Sequence, residues 1–150
     1  MNNNFNEVER KLNELLEKAY DAEKGFKKAA ENTDNQRIKK FFHDQARERS
    51  GYINELVDAL KRRGMNVEEN DGSISGTLHR AWIDTKALFS FDNDESMLEE
   101  VRNGEKAALK DYNDILEDPK IDLEIRDILL KQKAAIQNSY DKADYLEDLY

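Results

Sequence analysis

Four stretches of this chain carry apolar residues at alternating steps of three and four, with almost nothing to interrupt them. In the first, Phe5, Val8, Leu12, Leu15, Ala19, Ala22, Phe26 and Ala29 line up. In the second the line is Ile38, Phe42, Ala46, Arg49, Ile53, Leu56 and Leu60. Residues 94–116 continue with Met97/Leu98, Val101, Glu105, Ala108, Tyr112 and Ile115, and the last stretch with Ile125, Leu129, Gln132, Ile136, Ser139/Tyr140, Ala143 and Leu146. That period is the buried stripe of an amphipathic helix, and a strand cannot satisfy it. The single proline and six glycines leave few places to stop, so the elements are expected to be few and long.

The stop signals divide the chain into one domain over residues 1–150, with helices at about 4–31, 34–63, 73–89, 94–116 and 122–149. Thr33 is expected to cap the second helix with Gln36 reaching back, as in a capping box. Gly64, after Lys61-Arg62-Arg63, ends that helix: the basic turn complements the helix dipole and glycine tolerates a left-handed turn. Short connections around Asn32 and Pro119 force two antiparallel pairs. Between the pairs lie about 30 residues, which hold only the shorter pattern Ile74, Leu78, Trp82, Thr85 and Leu88/Phe89. The predicted fold is all-α, a ferritin-like four-helix bundle of two antiparallel hairpins joined by a long crossover carrying a short extra helix.

Composition narrows the partners. A net charge of −9, with no basic block long enough to follow phosphates, disfavours nucleic acid and anionic membranes. The chain has no cysteine, which removes disulfides, thiolate metal sites and cysteine nucleophiles. No apolar run approaches the roughly 20 residues of a membrane span, and the N-terminal residues lack the pattern of a signal peptide. A cytoplasmic protein is expected. No glycine-rich phosphate loop and no helix–strand alternation exist to build a nucleotide site or a hydrolase triad.

Several motifs together resemble a known family. They are Gly25-Phe26; Ala46-x-x-Arg49-x-x-Tyr52; Ser75-Gly76-x-Leu78-His79-Arg80-x-Trp82-x-Asp84-x-Lys86; and Gly104-Glu105 with Tyr112. The chain resembles, from about Leu12 to Leu146, a bacterial ferritin-like four-helix-bundle family catalogued as a domain of unknown function. The resemblance implies the bundle and very little about activity.

Glu105 is the residue on which the functional reading turns, because it sits where a bundle helix normally carries leucine. Ferritin-like di-iron proteins take a Glu from each of two helices and a Glu-x-x-His from each of the others. Asp21-x-x-x-Gly25 with Ala29 in the first helix echoes Glu100-x-x-x-Gly104 with Ala108 in the third; in that register Phe26 matches Glu105, the second helix offers Arg49-x-x-Tyr52, and the last is expected to offer Gln137-x-x-Tyr140. No Glu-x-x-His occurs anywhere, and a guanidinium in a ligand position repels a cation. The expectation is therefore a buried Arg49–Glu105 ion pair, with Gln132, Ser139, Tyr52 or Tyr140 completing a polar core, no metal and no cofactor. The alternative is an atypical metal site or ferritin-like oxidoreductase that uses Glu105, Asp21, Glu23 or Asp84 with His79.

A second candidate patch is His79, Arg80, Trp82, Asp84 and Lys86. It reads either as a small polar site at the bundle end or as an ordinary charged helix face with Trp82 as a plug. The reading leaves enzymatic activity undecided and favours a non-catalytic structural or interaction role. An unidentified protein partner or self-association is expected, with a homodimer through the short helix or the acidic tail as one route. A small-molecule binder in the bundle core is a third reading.

Overall fold

A computed structural model describes residues 3–67 and 94–149. These form four α-helices, α1 (Asn3–Glu31), α2 (Gln36–Arg62), α3 (Asp94–Leu116) and α4 (Leu123–Glu147), and no strands occur among the described residues. The expected short helix at 73–89 and the patch His79, Arg80, Trp82, Asp84 and Lys86 lie outside the described residues.

The turns explain where the helices begin. Asn35, not Thr33, caps α2: its side-chain oxygen accepts the amides of Arg37 at 3.0 Å and Ile38 at 3.2 Å. Thr33 is buried and committed elsewhere, donating its hydroxyl to Asp94 Oδ1 at 2.6 Å. Both residue types cap helices well, and the tertiary contact to the first residue of α3 decides between them. Gln36 bonds the Asp34 carbonyl at 3.4 Å and makes no capping box. Gly64 stops α2 as expected, with φ of 71° and its amide on the Lys61 carbonyl at 3.0 Å. Asp122 caps α4 by accepting the Ile125 amide at 3.0 Å.

The short turns make α1–α2 and α3–α4 antiparallel hairpins, and these are the two extensive interfaces; smaller ones join α1 to α3 and α2 to α4. The four helices therefore form a square in which α2 and α3 are diagonal. Met65 and Val67, following α2, pack into a cluster with Leu12, Leu60, Ile115 and Ile125 at one end of the bundle. The start of α3 belongs to the opposite end, where Met97 and Leu98 pack with Phe26, Phe42 and Leu146.

Ion pairs close the end of the bundle where α2 stops and α4 begins. Lys11 reaches Asp118 at 3.0 Å across the α3–α4 turn. Arg62 meets Glu124 at 2.8 Å, and Arg63 binds both Asp122 and Glu124. The latter contacts set the positive C-terminal turn of α2 against the acidic first turn of α4, so one set of charges complements two helix dipoles. No helix among the described residues is long and apolar enough to cross a membrane.

Candidate functional site

The apolar core is not continuous. One cluster takes Leu15, Ile53, Tyr112 and Ile136; the other takes Ala22, Ala46, Val101 and Ala143. The helical turn that separates them is polar on every helix: Glu17 and Asp21 on α1, Gln45 and Arg49 on α2, Glu105 on α3 and Ser139 on α4 are all buried. This layer crosses the bundle near its middle.

Arg49 and Glu105 form its centre. Arg49 is 2 % exposed and Glu105 fully buried. One guanidinium nitrogen donates to Glu105 Oε2 at 3.1 Å, and the other terminal nitrogen donates to Oε1, so the pair is bidentate. Because α2 and α3 are diagonal, only two long side chains meeting end to end can span the gap, and Arg with Glu supplies that reach. The planar cation is also flanked by rings: its central carbon lies 5.6 Å from the Phe26 ring centroid and 5.9 Å from that of Tyr52. Aromatic faces attract a desolvated cation, so Phe26, matched to Glu105 by the glycine echo, serves the guanidinium. Burial works against the Arg49 charge, but the Glu105 carboxylate outweighs it and holds the guanidinium pKa above its ordinary value.

A second polar node lies toward the end where α2 stops and α4 begins. Tyr112 donates its hydroxyl to Gln132 Oε1 at 2.7 Å. The Gln132 amide nitrogen in turn donates to the Tyr52 carbonyl and to Glu55, each at 3.2 Å. Burial raises the Tyr112 phenol above its usual range; Arg49 opposes this and Glu105 adds to it. Tyr52 is raised by partial burial and by Glu48, whose carboxylate accepts its hydroxyl at 3.0 Å. Both phenols are thus neutral hydrogen-bond donors.

The structure brings Arg49, Glu105 and Tyr52 together and sets Gln132 beside them through Tyr112. Tyr140 stands apart: it is half-buried beside Arg102, which pairs with Glu147 at 2.8 Å. Gln137, expected on the inner face, is exposed and bonds Asp141 at 3.1 Å. It lies two residues from Ser139, about 200° around the helix, so the two cannot share a face. Of the alternative ligand set, Glu23 pairs with Lys27 at 3.5 Å, Asp21 is buried in the polar layer, and His79 and Asp84 lie outside the described residues. His43 is exposed. No group of three or more metal-type side chains gathers at one point among the described residues.

Sequence reasoning missed the burial of Asn13, Glu17, Asp21 and Gln45. The spacing of Asn13, Glu17 and Asp21 at i, i+4 and i+8 is a signal that could have found a polar line beside the apolar seam.

Comparison with curated proteins returned no match. The family described as "Domain of unknown function (DUF2383)" matches residues 7–118, a span containing Phe26, Arg49 and Glu105 and ending in the turn before α4. With most of its length matched, the chain belongs to the DUF2383 family, a domain of unknown function.

Proposed function

We propose that the chain is a single ferritin-like domain of the cytoplasm that acts without catalysis, through a protein partner or self-association. In this reading an ion pair takes the place where such bundles hold metal. The bidentate Arg49–Glu105 contact carries it. The ends of the described segments support the ferritin-like connection, since Val67 and Asp94 belong to opposite ends of the bundle and a crossover must join them.

A di-iron centre needs carboxylates on all four helices and two imidazoles aimed at one point. The residues here do not fit that group. Phe26 and Arg49 face the centre, and both oxygens of Glu105 are held by a guanidinium. A cation brought there would meet a fixed positive charge before it met a free donor. The ion pair then acts as a register device, a use for which buried charges are well attested.

Elemental analysis of the full-length protein, purified without chelators and dialysed, tests the proposal. Iron, manganese and zinc are expected well below one equivalent. Stoichiometric metal that survives dialysis and is lost in Glu105→Gln would overturn it.

A further inference from the structure

The α2–α4 side of the bundle carries a groove of about 520 Å³, within the range of small-molecule sites. Its walls are one face of each helix. Arg37, Phe41 and Gln45 follow at i, i+4 and i+8 on α2, and Ser139 and Lys142 lie opposite on α4. Since the first residues of α2 pack near the last turns of α4, Arg37 and Lys142 stand toward the same end of the groove.

These two cations are uncommitted. Lys40 beside them is taken by Asp44 at 2.8 Å. Arg37 and Lys142 form no ion pair with a described carboxylate, and Lys142 rests 5.9 Å from the Tyr145 ring centroid. Both are exposed. Asp44 and Glu48 also line the groove; Asp44 is paired with Lys40 and Arg47, and Glu48 accepts the Tyr52 hydroxyl and the Gln45 amide, so Arg37 and Lys142 are the lining cations open to an anion.

The floor supplies the second observation. Ser139 is 2 % exposed, and its hydroxyl meets no hydrogen-bond partner among the described residues. Gln45 is 8 % exposed, and its Oε1 also meets none among them. The Gln45 amide nitrogen donates to Glu48 at 3.2 Å, and since a carboxylate cannot accept from a carbonyl oxygen, this contact assigns the two ends of the amide. Buried polar atoms are nearly always bonded. Two orphans in one groove, one an acceptor and the other able to donate or accept, define what should arrive there.

We propose that this groove binds a small polyhydroxylated organic anion. Its carboxylate or phosphate lies between Arg37 and Lys142, its carbon skeleton packs on Phe41, and its hydroxyls bond Gln45 Oε1 and Ser139 Oγ. Both oxygens are covered in the free protein, so the Ser139 and Gln45 side chains turn toward the ligand as it seats. The site is distinct from the Arg49–Glu105 centre and requires neither metal nor reaction.

Isotope-labelled full-length protein, titrated to millimolar gluconate or glycerol phosphate, tests this by amide shifts in the magnetic resonance spectrum. Glycerol and inorganic phosphate serve as controls. The Gln45 side-chain amide and the Ser139 backbone amide should move with at least one polyhydroxylated anion, and which one moves them separates a carboxylate ligand from a phosphate. Arg37→Ala with Lys142→Ala should weaken that binding about tenfold or more, and Ser139→Ala about fivefold, with thermal melts of the free proteins nearly unchanged. Three results would overturn the proposal. Neither anion shifts these signals; glycerol binds as tightly as glycerol phosphate; or inorganic phosphate binds as well as both anions and Ser139→Ala changes nothing, marking an adventitious ion only.

Discussion

Replacing Glu105 with leucine fills the same space with hydrocarbon but leaves the Arg49 guanidinium, 2 % exposed, without its counter-charge. The Phe26 and Tyr52 rings 5.6 and 5.9 Å away cannot substitute for a bidentate carboxylate. Removing one partner of such a pair costs about 3–5 kcal/mol. For a domain of this size each kcal/mol moves the melting temperature by about 2–4 °C, so Glu105→Leu should melt about 6–20 °C below wild type. The double replacement Arg49→Met with Glu105→Leu removes both charges together. It should return to within about 1 kcal/mol of wild type or exceed it, because well-packed apolar residues commonly equal a buried ion pair. Urea denaturation followed by circular dichroism on wild type, both single variants and the double variant completes a mutant cycle. Equal stability of wild type and Glu105→Leu would refute the reasoning, as would a double variant no better than the worse single one.

Asn35→Ala should cost about 1 kcal/mol by removing the cap of α2, whereas Gln36→Ala should leave the melting temperature unchanged; thermal melts distinguish them. Gly51 is exposed within α2, with open space where a Cβ would stand, so Gly51→Ala should stabilise by about 0.5–1 kcal/mol. Gly64, at φ of 71°, should respond the opposite way, with Gly64→Ala lowering stability in urea titration. Asp118 is held below the usual carboxylate range by the Lys120 amide and then by Lys11, and Asp122 is lowered by Arg63 and its cap bond against the opposing effect of burial. A depressed folded-state pKa favours the ionised fold, so this contribution is complete above the ordinary value of about 4 and fades as pH falls through the lower folded values. Melting temperature against pH should therefore drop below about pH 4, and Asp118→Asn should flatten part of that drop.

The four described helices were legible in the chain because their seams are regular: residues 94–116 were expected and found, and the bounds of the other three agree within two residues at each end. Arg49 and Glu105 were legible for a related reason, each being a charge on a line otherwise reserved for hydrocarbon. What escaped depended on neighbours. Thr33 and Asn35 are equivalent caps until α3 presents Asp94 to one of them. Gln137 was placed inward by analogy with a ligand motif, although the seam of its own helix runs through Ser139 and Leu146 and turns it to solvent. Tyr112 was assigned to the seam, and only the approach of Gln132 shows what its hydroxyl does. Gln45 and Ser139 reveal an idle groove only when α2 and α4 are set side by side.

The diagonal course of the Arg49–Glu105 contact bears on how the molecule can come apart. Most packing lies within the α1–α2 and α3–α4 hairpins, so the boundary between them is the natural plane for sub-global opening. Seams of repeating leucine and isoleucine would let one hairpin slip along the other by a helical turn and find hydrocarbon again. A bidentate charge pair has no such second position: a slip of one turn, about 5.4 Å, would strand a cation and an anion in separate apolar clusters. The contact thus turns a boundary that could creep into one that is either closed or fully parted. Amide exchange in the two hairpins should accordingly report a single opening event in the native protein and two separate ones once both charges are replaced by hydrocarbon.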